Sequence, residues 1–400
     1  MNMKAGPGLH RTSLPKGFMA GGVNSGVRRY RPDLGVVFSE VDAVTVGVFT
    51  ENECKGAPVL YCQSILPSTR VRAIVTNSGQ ANAATGDEGL HKNAMMVAAA
   101  AKAFGVDEPQ VLTASTGVIG VQIDVEKINS AMPELALRTS NVAENFALAI
   151  LTTDLVPKAV TTEVTLSQGK VRITGICKGS GMIHPNMATM LGYLLTDLRL
   201  EAGVAQTLLK EATDQSFNMI SVDGECSTND CNFLMANGAS GIELMTDADH
   251  RNFRKALTEV SQTLAQAIAA DGEGAGKLIE VQIKGAPTEE LARRAARSVV
   301  MSPLVKTAVH GEDPNWGRIL ARLGAEKVPA EILQKMSLQI QGARLFDKGA
   351  PLNFVREEVK LLLKGPKVVI AIDFKSGQQR ATAWGCDLTK KYVEINAEYS

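Results

Sequence analysis

Near the middle of the chain, Lys178-Gly-Ser-Gly-Met-Ile-His-Pro-Asn-Met-Ala-Thr-Met-Leu191 sets a glycine-rich, proline-containing loop directly before an Ala-Thr-Met-Leu run that begins a strand. Such a loop can hold backbone in an uncommon conformation. With strain at Ala188-Thr189, the Thr189 hydroxyl oxygen attacks the Ala188 carbonyl carbon, and hydrolysis of the resulting ester leaves Thr189 with a free α-amino group. One residue then carries nucleophile and base together. An α-amino group has an ordinary pKa of about 7.7–8.0, so near neutral pH part of it is unprotonated and accepts the hydroxyl proton. On pattern alone the same threonine also reads as one more β-branched residue of a half-buried strand, and at this level both readings stand.

Other chemistries find little support. Five histidines (His10, His91, His184, His250 and His310) show no His-Glu-x-x-His or similar pairing, so neither a metal hydrolase nor a bound metal is expected. The cysteines Cys54, Cys62, Cys177, Cys226, Cys231 and Cys386 include no Cys-x-x-Cys and read as reduced, mostly core thiols. Gly272-Glu-Gly-Ala-Gly-Lys277 resembles a phosphate loop only in outline: a Walker loop needs one more residue between its glycines and a Ser or Thr where Leu278 stands.

The bulk numbers narrow the field further. At 400 residues and 45% hydrophobic, the chain can bury one large core or two adjoining ones. Lys+Arg and Asp+Glu both number 42, so no overall charge draws it to nucleic acid or an acidic membrane, and any charged partner must be recognised locally. Aromatic residues are only 4%, which weighs against an aromatic-lined groove for sugars or single strands. Met1-Asn-Met-Lys-Ala-Gly-Pro has no apolar signal region, and Ala94 to Phe104 is too short to cross a bilayer, so the cytoplasm is the expected location.

The elements that must position these residues alternate between α and β. Val71 to Thr76 reads as a buried strand, Asn77 to Gly86 as a loop, and Asp87 to Phe104 as a helix. Val111 to Ser115 reads as a strand ending at Thr116-Gly117, with helices at Asp124 to Ala131 and Asn141 to Leu151. Lys158 to Leu166 and Lys170 to Cys177 alternate about Ser167-Gln168-Gly169, a hairpin that delivers the chain to Lys178. Beyond it, Met190 to Leu195 is apolar, Gly203 to Asn218 is helical in period, and Arg251 to Ala269 is a long amphipathic helix. Strands are expected near Leu278 to Ile283, Ser337 to Ile340, Val368 to Phe374 and Arg380 to Trp384, and helices near Glu289 to Val299 and Trp316 to Leu323. No linker or fixed repeat marks a domain boundary.

Five motifs in one order decide between the readings of Thr189. Lys178 to Leu191, Thr113-Ala-Ser-Thr-Gly-Val-Ile-Gly120, Ser216-Phe-Asn-Met-Ile-Ser-Val-Asp-Gly224, Asp313-Pro-Asn-Trp-Gly-Arg318 and Tyr392-Val-Glu-Ile-Asn-Ala-Glu-Tyr399 resemble the ornithine acetyltransferase (glutamate N-acetyltransferase) family nearly end to end. The resemblance implies autocleavage between Ala188 and Thr189 into an α chain, 1–188, and a β chain, 189–400, interwoven in a layered α/β/β/α sandwich like that of other N-terminal nucleophile enzymes. It also implies an α2β2 heterotetramer.

In the reaction so implied, Thr189 takes the acetyl group of N-acetylornithine, ornithine leaves, and glutamate takes the acetyl from the threonine ester in a ping-pong cycle of arginine biosynthesis. No cofactor is needed, although acetyl-CoA is expected as a second acetyl donor. Thr116 hydroxyl and Gly117 N–H match the family's oxyanion donors. Substrate contacts map onto Thr152 or the adjacent Thr153, Thr189, Lys178, Glu273 and Asn396, with Lys178 suited to a carboxylate and Glu273 to an ammonium. Members commonly carry a further threonine at the C-terminus, and Ser400 stands as the candidate for that contact. Two other classes compete: a self-processed aminopeptidase or amidase whose acyl-threonine is resolved by water, and a nucleotide-binding regulator using Gly272 to Lys277.

Overall fold

The computed structural model describes residues 12–184 and 190–398, whose strands form two sheets. The first sheet holds β1 (Phe18–Val23), β2 (Leu34–Phe49), β3 (Ser68–Gln80), β4 (Val111–Val118), β5 (Lys158–Leu166), β6 (Gly169–Lys178) and β7 (Leu191–Thr196). The second holds β8 (Ile220–Ser221), while β9 (Cys231–Ala236) returns to the first. The remaining strands of the second sheet are β10 (Leu278–Ala286), β11 (Ser337–Ile340), β12 (Ala343–Asp347), β13 (Ala350–Pro351), β14 (Lys367–Asp373) and β15 (Gln379–Cys386).

The order of the first sheet is β4-β3-β2-β9-β7-β6-β5, with β1 paired to β2. Strands β7 and β9, which follow residue 189, therefore lie between β2 and β6, which precede it. β7 runs antiparallel to β6, with Lys178 opposite Leu191, and parallel to β9, with Leu191 opposite Cys231. Every residue of β7 and β9 is buried, as a strand covered on both faces requires.

Helix Asp247–Ala270 packs on β5 and β6 of the first sheet and on β15 of the second. Its start is fixed by a capping box: the Thr246 hydroxyl accepts the Asp249 N–H at 3.1 Å, and the Asp249 carboxylate accepts the Thr246 N–H at 3.1 Å. Phe253, Leu257, Val260, Leu264 and Ile268 recur at helical spacing and are all buried. Helix Glu289–Met301 covers β10 and β15. One apolar core then runs from Val46 and Leu194 of the first sheet to Ile279, Val281 and Ile370 of the second. The fold is an α/β sandwich on two sheets, as the resemblance implied. No helix among the described residues is long and apolar enough to cross a membrane.

Some elements differ from expectation for local reasons. Strand β3 runs on through Asn77 to Gln80, expected as loop, because those residues pair in parallel with Ser115 to Val118. Helix Val125–Leu137 continues past Ala131 and through Pro133. Asn141 to Leu151 yields only the short helix Glu144–Ala149. Asp313 to Arg318 is a helix start: Asn315 caps Trp316–Ala325 by accepting the Arg318 N–H at 3.3 Å.

Beside the end of β6 three ionised groups are buried together. Lys158 Nζ donates to Asp154 Oδ1 at 2.8 Å, to Asp271 Oδ2 at 2.7 Å and to the Val156 carbonyl at 3.1 Å, and its side chain is fully buried. Burial pushes the Asp154 carboxyl pKa up, but Lys158, Lys178 and the hydrogen bonds outweigh it and hold the group well below the carboxylate range. Burial likewise depresses Lys158, and the two carboxylates more than reverse that. Removing the cation strands two buried carboxylates, so Lys158→Ala should lose about 3–5 kcal/mol of stability. Urea denaturation checks this, and an unchanged midpoint would contradict it.

Candidate active site

Residues far apart in sequence meet in a cavity of about 290 Å³ at the ends of β4 and β6. Thr116, Gly117, Thr152, Thr153, Lys178, Glu273 and Asn396 all line it. Ala188, Thr189 and Ser400 fall outside the described residues. Met190, the residue after Thr189, lines the same cavity, and its carbonyl accepts the Cys231 N–H at 3.0 Å.

Gly117 sits opposite Gly79 in the parallel β3–β4 pair, with φ +131°, and a Cβ there would lie 2.2 Å from the Gly79 carbonyl carbon. Only glycine lets the chain turn there this close to its neighbour strand. Lys178, the last residue of β6, donates from Nζ to Thr152 Oγ1 at 2.8 Å and to Thr116 Oγ1 at 3.2 Å. An ammonium has only donors, so the Thr116 oxygen must accept from it, and the Thr116 hydroxyl hydrogen is left to point elsewhere. Thr116 is thereby oriented as a donor next to Gly117.

Thr152 is held from behind, its N–H donating to Asp154 Oδ2 at 3.1 Å. Asp154 Oδ1 accepts the Gly179 N–H at 2.7 Å, so one carboxylate fixes both the Thr152 turn and the backbone after Lys178. Lys178 itself is buried, and burial pulls its pKa below the ordinary lysine value against the attraction of Asp154 and Glu273.

Glu273 follows the long helix, anchored by its N–H to the Ser180 carbonyl at 3.1 Å. Asn396, on the C-terminal helix Lys390–Ala397, donates to Glu273 Oε2 at 2.8 Å. Gly181 makes room for this carboxylate, since a Cβ there would lie 2.3 Å from Glu273 Cδ. The cavity thus offers an ammonium, a carboxylate and two candidate oxyanion donors, an arrangement suited to a small molecule carrying both charges.

The loop Gly272 to Lys277 holds no open phosphate cradle. Its Gly276 and Lys277 N–H groups donate to Asp387 Oδ1 at 2.7 and 2.8 Å, and Lys277 Nζ is engaged by Glu312 at 3.2 Å and the Leu363 carbonyl at 2.7 Å.

The sequence reading missed the polar run Ser227-Thr-Asn-Asp230, which lines the cavity just before β9. Asn229 Nδ2 donates to the Ser115 carbonyl at 3.0 Å, tying this run to β4. Asp230 is 4% exposed, and its Oδ2 has no hydrogen-bond partner among the described residues. Burial raises its pKa well above the carboxylate range, against the opposing pull of Ser227 and Lys178. A polar cluster directly before an apolar run was the available signal.

Residues 19–400 match the ArgJ family. The chain is 43% identical to "Arginine biosynthesis bifunctional protein ArgJ" of Thermotoga neapolitana, over 96% of this chain and 99% of that one. It is 44% identical to the protein so named in Dehalococcoides mccartyi, over 97% and 96% of the two chains. A solved Bacillus halodurans structure of the same name is 40% identical, with a TM-score of 0.51, covering 53% of this chain and 100% of that chain.

Asp230 gives a pH-dependent test. Its folded pKa lies above the unfolded value of about 3.9, so the folded chain holds more protons and stability falls as pH rises through that interval. Asp230→Asn removes the fall. Relative to wild type its Tm should rise toward neutral pH, with the advantage vanishing near pH 4. The same Tm difference at both pH values would contradict a buried neutral carboxyl.

Proposed function

The chain belongs to the ArgJ family, and on that premise we propose that its cavity moves an acetyl group from N2-acetylornithine to glutamate through an ester on Thr189. It is a bifunctional acetyltransferase of arginine biosynthesis. The second activity takes acetyl from acetyl-CoA to glutamate. The observation that carries this reading is the convergence of Thr116, Gly117, Lys178, Glu273 and Asn396 on one cavity that Met190, the residue after Thr189, also lines.

Activation comes first. The Thr189 hydroxyl oxygen adds to the Ala188 carbonyl carbon, the peptide C–N bond breaks as the amine is protonated, and water cleaves the ester to leave an Ala188 carboxylate. The sheet order is compatible with such a cut. β7 and β9 are held between β2 and β6, so fragments 1–188 and 189–400 would share one sheet and stay joined. Two αβ pairs then make the α2β2 assembly, working in the cytoplasm without a bound cofactor.

In the cycle, the freed α-amine takes the Thr189 hydroxyl proton as the oxygen attacks the acetyl carbonyl carbon. Negative charge develops on the carbonyl oxygen, where the Thr116 hydroxyl and Gly117 N–H donate. The amide C–N bond breaks and ornithine leaves with the proton. Glutamate's amine next attacks the ester carbon, the C–O bond breaks, and the threonine hydroxyl re-forms. Lys178 takes the substrate carboxylate, and Glu273, steadied by Asn396, takes an ammonium. Of the two threonines, Thr152 is supported by its hydroxyl oxygen accepting from Lys178 Nζ at 2.8 Å.

Initial-rate kinetics with acetylornithine and glutamate should give the parallel double-reciprocal lines of a ping-pong cycle, and intersecting lines would rule out the ester intermediate. Thr116→Val should lower kcat by about 10²–10³-fold, the usual effect of losing one oxyanion donor. A variant with unchanged kcat would remove Thr116 from that role.

A further inference from the structure

A second cavity, of about 430 Å³, adjoins the first: Gly117, Val118, Thr152 and Thr153 line both. Val27, Arg28 and Val121 extend its wall outward, giving a partly apolar passage that begins at the candidate oxyanion glycine. Acetylornithine is already provided for by Lys178 and Glu273 in the first cavity, so the passage has no evident use in that half of the reaction.

The passage ends at the turn 24–32, Asn-Ser-Gly-Val-Arg-Arg-Tyr-Arg-Pro, which contains three arginines and no acidic residue. The turn is tied down by two side chains. Asn24 Nδ2 donates to the Arg28 and Arg31 carbonyls at 2.9 and 2.6 Å, and Asp33 accepts the Ser25 and Arg28 N–H groups at 2.6 and 2.7 Å. Arg31 reaches back to the Thr152 carbonyl at 3.2 Å, joining the turn to the wall that both cavities share. The fixed turn presents Arg29 and Tyr30 to solvent, Tyr30 with 92% of its surface exposed. An aromatic ring this exposed, flanked by guanidinium groups on a pinned turn, suits a ligand that is both flat and anionic.

We propose that the second cavity and the turn 24–32 bind an acetyl thioester donor of the coenzyme A class, with the thin arm in the passage, the phosphates at Arg29 and Arg31, and the base on Tyr30. This rests on the reading of Thr189 as acetyl acceptor and of acetyl-CoA as second donor. In the step served, the Thr189 oxygen bonds to the thioester carbonyl carbon, the C–S bond breaks, and the thiol departs with the hydroxyl proton. The ester formed is the one acetylornithine also gives, so the two donors share the oxyanion donors and differ in their approach.

The test compares the full-length wild type with Arg29→Glu and Tyr30→Ala, neither of which touches the acetylornithine contacts. Coenzyme A binding is measured by calorimetry, and glutamate acetylation is measured from each donor separately. A charge-assisted phosphate contact contributes roughly 1.5–3 kcal/mol, so Arg29→Glu should raise the coenzyme A Kd and the acetyl-CoA KM at least about tenfold. Tyr30→Ala should raise both several-fold, and kcat/KM from acetylornithine should stay constant in both variants. If wild type uses acetyl-CoA and neither variant changes its coenzyme A constants, the site is wrong while the bifunctional reading survives. If wild type transfers from acetylornithine but neither binds coenzyme A nor uses acetyl-CoA, site and second activity both fall. Equal loss with both donors in Arg29→Glu would also overturn the proposal, since the turn would then serve a step common to both.

Discussion

Lys158 is buried between Asp154 and Asp271, and the same two carboxylates organise the backbone on which the cavity stands. Asp154 accepts the N–H groups of Thr152 and Gly179, and Asp271 accepts that of Leu155 at 3.1 Å. The Asp271 carbonyl in turn accepts the Ser180 hydroxyl at 2.7 Å. The Thr152 turn, the end of β6 and the end of the long helix are thus locked to one ion cluster. Desolvating three charges is costly, and a well-packed apolar replacement is often as stable. The cluster's value here is positional, because an apolar trio could not hold those amides in place.

The second consequence concerns continuity across residue 189. The central strands of the first sheet come from both sides of it, and the apolar cluster around Tyr193 and Phe233 mixes them with Phe146 and Ile176 from upstream. A backbone cut at that point removes no strand pairing among the described residues, while separating the pieces would expose the centre of a sheet buried on both faces. The cavity is composite in the same way, with Thr116, Gly117 and Lys178 from one side and Glu273 and Asn396 from the other.

What could be read from sequence follows the periodicity. The β5–β6 hairpin alternates about Ser167-Gln168-Gly169 and was found almost to the residue, while the apolar stripe of the long helix gave its end to within one residue but its start four residues late, at Arg251 instead of Asp247. Strands β2 and β9, central to the first sheet, were missed. Cys231 to Ala236 is buried throughout and therefore carries no alternation, while β2 is interrupted by exposed Glu40 to Asp42. At the site, motif resemblance supplied Thr116, Gly117, Lys178, Glu273 and Asn396, which no local pattern would have joined, and the fold brings them to one cavity. Asp230 was missed because Ser-Thr-Asn-Asp also reads as a turn, and although a polar cluster before an apolar run marks the place, only the packed structure reveals a buried carboxyl.

The acetyl-transfer cycle assigned to this cavity depends on a free amine and hydroxyl on one residue, so the decisive measurement is intact mass with N-terminal sequencing of purified wild type beside Thr189→Ala. Two fragments in wild type, the second beginning at Thr189, together with a single uncut chain in the variant, are the result expected. A wild type that remains one chain under native conditions, or is cut elsewhere, would contradict the account at its centre.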